Sequence, residues 1–266
     1  MSNRTVRMEE MTWVEYAQRI EQEQPVVMFP VGSLEQHGPH LPMHCDEAIP
    51  RRLSEMIAQN VPAMVAPSMC YGYKSQPRSG GGNHFPGTTS LDAETVIHHV
   101  RDVLIDLARH GVRRVAIMDG HYENTMFIIE GIDLALRHLR HEGVKDMKVL
   151  RISYFEFTTK EIEAKVWPEG FPSWPLEHAG VMETSVMLHL FPDLVHMEHV
   201  PKHGPAEFEP YDIYPVTAEN LPGLPETGAL ISASSATAEK GELLVDRFVE
   251  GISDALVDQF GVKMRR

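Results

Sequence analysis

Val115-Ala116-Ile117-Met118, running into Asp119-Gly120-His121-Tyr122-Glu123-Asn124, carries the architecture of this chain in miniature. A short unbroken apolar run bounded by helical patterns reads as a strand buried on both faces. Upstream, Val96, Ile97, Val100, Val103, Leu104 and Leu107 recur with a 3.6-residue period, with Asp92 as the candidate N-cap and Gly111 as the stop. Downstream, Phe127, Ile128, Ile132, Leu136 and Leu139 mark a second amphipathic helix that stops at Gly143. The order is helix, strand, helix, and the strand ends on residues able to do chemistry.

The alternation continues in both directions. Val26-Val27-Met28-Phe29-Pro30-Val31 is a second buried strand, ended by Gly32-Ser33, and a helix over Asp46 to Gln59 and a strand over Ala63 to Pro67 follow it. Lys148 to Tyr154 reads as a further strand, and an amphipathic helix from roughly Ala236 to Phe260 closes the chain. Strands separated by helices specify a mainly parallel sheet with helices on both faces, an α/β fold in three layers, α/β/α. The expectation is one domain over residues 1–266, with the stretch Pro201 to Gly228, rich in proline and polar residues, as an ordered surface excursion.

With 266 residues, 42% of them hydrophobic, the chain can bury a large core, and a charged fraction of 23% argues against global disorder. The formal net charge is −14, and the basic runs are no longer than Arg51-Arg52, Arg113-Arg114 and Arg265-Arg266. Nucleic acid and anionic membranes are therefore not expected partners. Cys45 and Cys70 are the only cysteines and form no CxxC pattern, which points to reduced thiols in a cytoplasmic protein. Met1-Ser2-Asn3-Arg4 opens no apolar segment, and no run of ~18 apolar residues occurs, so neither a secretory signal nor a membrane span is expected.

Glu35-Gln36-His37 follows the Val26 strand, and His121-Tyr122-Glu123 follows the Val115 strand. Each puts a carboxylate and an imidazole at i and i+2, positions whose side chains point the same way in extended chain. Sites in open parallel sheets form beyond the carboxyl ends of the strands, so both pairs emerge on one edge. With Asp46 they make five candidate ligands, Glu35, His37, Asp46, His121 and Glu123, a mixed N/O set suited to Zn²⁺ or Mn²⁺. If Asp46 bridges two ions, a shared water completes two roughly four-coordinate shells, the arrangement of binuclear sites that activate water. A single ion would leave buried carboxylates uncompensated. His40, His44 and Glu47 lie near the first pair, and spacing alone leaves them open as ligands. Short ExH and HxE pairs also arise by chance in a chain with 15 histidines, so convergence is the test.

The segment Gly32-Ser33-Leu34-Glu35-Gln36-His37-Gly38-Pro39-His40-Leu41-Pro42 resembles a signature of the creatininase (creatinine amidohydrolase) family. Gly120-His121-Tyr122-Glu123-Asn124 resembles its second signature, in the form carried by creatininases proper. The likeness continues through Tyr71 to Ser75, Ser79 to Thr88 and Trp174 to Glu183, and spans the chain from about residue 10 to 260. The resemblance implies a three-layer α/β/α fold, a homohexamer and a binuclear centre of Zn and/or Mn. One ion would take Glu35, Asp46 and His121, and the other His37, Asp46 and Glu123. The implied substrate is a small neutral cyclic amide, creatinine, opened reversibly by water to creatine, with Ser79 or Tyr122 hydrogen-bonding it.

Opening such a ring takes a strong nucleophile, a stabilised oxyanion and a proton for the leaving nitrogen. His178, in Trp174-Pro175-Leu176-Glu177-His178-Ala179-Gly180 ahead of the apolar helical run Val181 to Leu190, is the candidate proton donor. Glu183 is a candidate to orient it, Glu123 a candidate acceptor for the attacking water, and Trp174 a candidate aromatic wall or lid. The glycine-rich segment Ser79 to Asn83 lacks a following Gly-Lys-Ser/Thr and so is not a phosphate loop; its glycines suit a close approach of backbone to the substrate. Three positions depart from the family pattern: Phe155 stands where creatininases proper have tryptophan, Pro175 where an acidic residue is common, and Asp119 where asparagine is usual. Two further readings stay in view, the first of them favoured by Phe155 and Pro175. One is a relative opening another cyclic carbonyl compound, a lactam or an oxidised cyclitol. The other is a catalytically silent, metal-stabilised assembly protein.

Overall fold

Four strands, β1 (Val26–Val31), β2 (Ala63–Val65), β3 (Arg114–Asp119) and β4 (Lys148–Ser153), make one sheet in the order β2-β1-β3-β4, parallel throughout. The structure is a computed structural model that describes residues 4–214 and 222–265. The helices are α1 (Trp13–Glu23), α2 (Cys45–Asn60), the single turn α3 (Pro77–Gly80), α4 (Ala93–Arg109), α5 (Thr125–His141), α6 (Lys160–Val166), α7 (Val181–Leu190) and α8 (Ala238–Phe260).

Alternation along the strands divides the core in two. Val26 and Met28 of β1 and Ala116 and Met118 of β3 pack with Leu53 of α2, Val186 of α7 and Phe248 of α8. Val27, Phe29, Val31, Val115 and Ile117 point the other way, onto Ile20 of α1, Leu104 of α4 and Ile128 of α5. Both faces of the sheet are thus covered, and every residue of β1 is buried, which is why its sequence is an unbroken apolar run. Each fully buried Leu or Phe of this kind stabilises the fold by about 1.5–3 kcal/mol relative to exposure.

The expected strands and the long helices are all present, with ends shifted by one or two residues. Asp92 stands at the N-cap of α4, but its carboxylate is paired with Lys74 and does not cap the helix. Three helices escaped the sequence reading: α1, capped by Thr12, the single turn α3, which runs into the glycine-rich segment, and α6, capped by Thr159. Residues 201–214 and 222–228 of the excursion contain no helix or strand, and residues 215–221 lie outside the described residues. Among the described residues no helix is long and apolar enough to cross a membrane.

The topology selects where chemistry can sit. From β1 the chain passes through α2 to β2 on one side, then returns to β3 on the other, so β1 and β3 flank the switch point of the sheet. Val31 lies in register with Asp119, and the glycines that follow each strand leave room for α2. A Cβ on Gly32 would stand 2.3 Å, and one on Gly120 2.2 Å, from the carbonyl oxygen of Asp46. The first turn of α2 is wedged between the two strand ends, and it carries Asp46 into the gap.

Candidate metal centre

Asp46 is the point at which the two signatures meet. Its Oδ1 lies 3.0 Å from His37 Nε2, and its Oδ2 lies 3.0 Å from His121 Nδ1. Glu35 Oε2 is also 3.0 Å from His121 Nδ1. Two triads of convergent ligand atoms result, Glu35–Asp46–His121 and His37–Asp46–Glu183, with Asp46 common to both; Glu35, His37 and His178 form a third grouping. All of these side chains except the partly buried Glu183 are less than a tenth exposed.

The backbone sets which nitrogen of each ring faces the gap. His37 Nδ1–H donates to the Glu35 carbonyl (3.2 Å), and His121 Nε2–H donates to the Tyr73 carbonyl (3.0 Å). A carbonyl can only accept, so a proton stays on that nitrogen, and the other is the one that presents a lone pair once a cation takes the place of its proton. Among the described residues, Glu35 Oε1, His37 Nε2 and Asp46 Oδ2 are buried without a hydrogen-bond partner, although charged or polar neighbours stand close. Buried polar atoms are almost always paired, and an orphaned set aimed at common points is what a cation would satisfy. The donor set therefore fits a pair of divalent ions.

Charge crowding says the same. Burial pushes the Glu35 carboxyl up to about 7 and Glu183 up to about 8. Burial alone would lower both imidazoles, yet Asp46 and Glu183 hold His37 up at about 10, and Glu123 and Glu35 hold His121 well above the ordinary value. Burial also works against the Asp46 carboxylate, but His37 and His121 keep it well below the usual carboxylate range. Such a site is short of positive charge.

Glu123 and Glu183 stand in different places from those expected. Glu123 Oε1 accepts from Ser79 Oγ (2.6 Å) and from Gln76 N (3.0 Å), while Oε2 lies 3.6 Å from His121 Nε2, at the rim of the first triad. Glu183 completes the second triad from the first turn of α7, 3.8 Å from His37 Nε2. It accepts from the Ala179 N–H (2.6 Å), in a left-handed turn (φ +55°), and makes no contact that orients the His178 ring. A carboxylate inside the apolar run Val181 to Leu190 was the signal for it. Of the residues that spacing left open, His40 points Nε2 at Thr184 Oγ1 (3.0 Å) and Glu47 lies by Arg51 (3.6 Å); neither they nor His44 join a triad.

Above the triads is a cavity of about 380 Å³, open mouth included, lined by Glu35, Asp46, His121, Glu123, Phe155, Trp174 and His178 among others. Ser79 and Tyr122 also line it, and Tyr122 is 47% exposed. Phe155 and Trp174 pack with ring centroids 5.1 Å apart, and Phe171 and Trp167 extend the aromatic wall behind Trp174. Glu177 anchors it, accepting from Trp167 Nε1 (2.6 Å) and from Met182 N (2.7 Å). The glycine-rich segment packs over the ligands themselves, since a Cβ on Gly80 would meet Glu35 Oε1 at 2.1 Å. Asp119 is offset by Arg151, whose Nη1 lies 3.3 Å from its Oδ2. A wider surface hollow between Pro77, Arg78, Phe208 and Tyr211 holds no ligand triad among the described residues.

A parallel α/β/α sheet with two carboxylate–imidazole triads sharing one aspartate at its switch point defines the class of a binuclear metal-site protein. The chain belongs to the creatininase family: the sequence profile of that family, described as creatinine amidohydrolase, matches residues 9–256. It is 49% identical over 259 residues to creatinine amidohydrolase of Pseudomonas putida, covering 97% of this chain and 98% of that one. A crystal structure of creatinine amidohydrolase superposes with a TM-score of 0.94 at 50% identity, over 97% of this chain and 98% of that chain. Creatininase structures of a Zn–Zn type, with Mn, and complexed with creatine each give a TM-score of 0.93 at 49% identity, over 97% of this chain and 99% of the other. A more distant relative, 3-dehydro-scyllo-inosose hydrolase of Thermotoga maritima, is 27% identical over 77% of this chain and 62% of its own length.

Proposed function

We propose that this chain hydrolyses creatinine to creatine, reversibly, with two divalent ions, Zn²⁺ and/or Mn²⁺. The observation that carries the reading is the sharing of Asp46 between two buried triads beneath an aromatic-walled cavity. Glu35, Asp46 and His121 would hold one ion. His37 and Asp46 would hold the other, together with Glu123 as in the family pattern or with Glu183 from α7. When bound, such ions supply Lewis-acid polarisation and a water acidified to a pKa of about 7.

The remaining work falls to the protein. Phe155 and Trp174 offer faces against which a flat ring can lie, and Ser79 and Tyr122 offer hydroxyls at the mouth. In the reaction the water oxygen bonds to the ring carbonyl carbon, the carbon–nitrogen bond breaks, and the nitrogen takes up a proton as a carboxylate forms. Glu123, held by Ser79 and Gln76 through one oxygen, is the acceptor for the water's proton through the other. His178 is the donor at the leaving nitrogen. Purified protein of known metal content, incubated with creatinine beside lactams and cyclitol ketones and followed by NMR, tests the assignment. Creatine formed in preference to any other product supports it, and turnover of a different ring alone would overturn it.

A second reading, hydrolysis of another lactam or of an oxidised cyclitol, is favoured by Phe155 and Pro175, which leave the aromatic wall without an indole and without a carboxylate at these two places. A silent assembly protein would bind metal and turn over none of these compounds. The chain is further proposed to work as one domain within a homohexamer in the cytoplasm. The exposed Tyr122, Met126 and Ile129 supply apolar surface for assembly, and light scattering on the purified protein measures its mass.

A further inference from the structure

The aromatic wall is built on a loop that closes on itself. Trp167, at the C-cap of α6, and Glu177 are ten residues apart, and the indole Nε1–H donates to Glu177 Oε1 (2.6 Å). Inside the loop, Phe171 stands edge-on to both tryptophans, with ring centroids 4.9 Å from Trp167 and 4.6 Å from Trp174. Trp174 in turn packs on Phe155 at the cavity. A loop whose ends are joined and whose inside is filled by its own side chains is a compact unit of the Ω type.

Glu177 moors this unit to the rest of the site. It is 2% exposed, and its second oxygen accepts from Met182 N (2.7 Å) in the first turn of α7. A Cβ on Gly180 would stand 2.6 Å from that oxygen, so the turn has room for the carboxylate only because residue 180 is glycine. Pro175 contributes stiffness. It opens the 3₁₀ turn Pro175–Glu177, in which the Glu177 N–H donates to the Trp174 carbonyl (3.1 Å), and its ring fixes φ. Trp174 and Glu177 are thus the two ends of one stiff turn, and whatever holds Glu177 also sets the Trp174 ring. We propose that Glu177 is a positioning residue: by stapling Trp167 it presets the Trp174 face of the cavity before a substrate arrives. Aromatic pairs alone tolerate a range of offsets, whereas a hydrogen bond from a rigid indole fixes one. A wall held ready spares an ordering cost at binding, which shows in KM and not in the chemical step. This inference rests on the reading that the cavity under this wall takes the substrate.

Trp167→Phe keeps an aromatic ring and removes the indole N–H. With the wall in place in about a tenth of the molecules, KM for creatinine should rise about 10-fold, with kcat within about threefold and metal content retained. Glu177→Leu should raise KM to a similar degree, and adding Trp167→Phe to it should change KM by less than about twofold, because the staple is already cut. An unchanged KM, a loss confined to kcat, or additive rises from the two substitutions would overturn the proposal. NMR of zinc-loaded protein labelled with ¹⁵N at tryptophan reads the staple without any substrate, through the indole signals of Trp13, Trp167 and Trp174. The Trp167 signal, identified by its absence from Trp167→Phe, should exchange with deuterium about 100-fold more slowly than that of Trp13, which is 81% exposed. Glu177→Leu should remove most of that protection. Protection that arises only once creatine is added, or that persists in Glu177→Leu, would also overturn the proposal. The two readings fail separately: absence of creatinine turnover removes the proposed function, whereas the exchange measurement tests the staple whatever ring the enzyme opens.

Discussion

Gly120 and Asp46 touch with no space between them. A Cβ on Gly120 would lie 2.2 Å from the Asp46 carbonyl oxygen and 2.7 Å from Cγ of Pro50, one turn further along α2. Pro50 has no N–H to give to that carbonyl, so the first turn of α2 is held by what it packs against. Gly120→Ala must push this turn, and with it the Asp46 carboxylate, away from His37 and His121. A destabilisation of about 1–3 kcal/mol from overpacking is expected, with loss of bound metal. Gly204→Ala, where among the described residues no atom outside the chain neighbours lies within 4 Å, should leave both unchanged. Thermal denaturation and elemental analysis of the two variants make the comparison, and a fully metallated Gly120→Ala protein of native stability would contradict the wedge.

Stripping the metal should destabilise the fold. Burial holds the Glu35 and Glu183 carboxyls up at about 7 and about 8, which reflects the cost of ionising these candidate ligands away from water. Ions bound only by the native state stabilise it by about 4 kcal/mol at a thousand times the dissociation constant. A chelator should lower the melting temperature, and either Zn²⁺ or Mn²⁺ should restore it. An unchanged melting curve after verified removal would count against the site.

His178→Ala should keep its metal and lose turnover, by about 10²-fold or more, because the ring touches Gln36 and the cavity while the orphaned ligand atoms belong to Glu35, His37 and Asp46. The decisive pair of measurements is metal stoichiometry and kcat on the same preparation.

Glu177 predicts a pH dependence away from the ligands. Burial pushes its carboxyl up to about 7, against the pull of Met182 N–H and Trp167 Nε1–H. A carboxyl whose folded pKa exceeds its unfolded value contributes stability that is complete below the unfolded value, about 4.5, and is lost as pH rises through about 7. Relative to Glu177→Gln, which cannot ionise, the wild type should lose about 3 kcal/mol between pH 4.5 and pH 8. Urea unfolding of both proteins across this range measures the difference, and parallel curves would show that Glu177 does not ionise there. Glu177→Ala, which strands two buried donors, should cost more at every pH.

Much of the site is legible along the chain, because the information is local. Glu35 and His37, and His121 and Glu123, sit two residues apart just after apolar runs, and a strand end delivers such a pair to one edge without help from elsewhere. Glu183 was read as an orienting group, since nothing in a helical apolar run says which buried polar residue turns toward a distant site. Asp119 departs along the chain from the asparagine usual in the family, and only the pairing of β3 with β4 brings Arg151 beside its carboxylate. The glycines of the Ser79 to Asn83 segment looked like room for substrate, whereas Gly80 makes room for the Glu35 carboxylate.

Period and spacing by themselves determined the alternation of strands and helices, the parallel sheet, the chemical kind of the ligands and the edge on which they emerge. These are set by side-chain direction over a few residues. Tertiary structure alone decided which atoms converge: that Asp46 turns one oxygen to each histidine, that Glu183 enters the second triad, and that Gln36 meets His178 across 142 residues of chain. Ring orientation and proton position depend on donors and acceptors brought together only when the layers pack, and no local pattern encodes them.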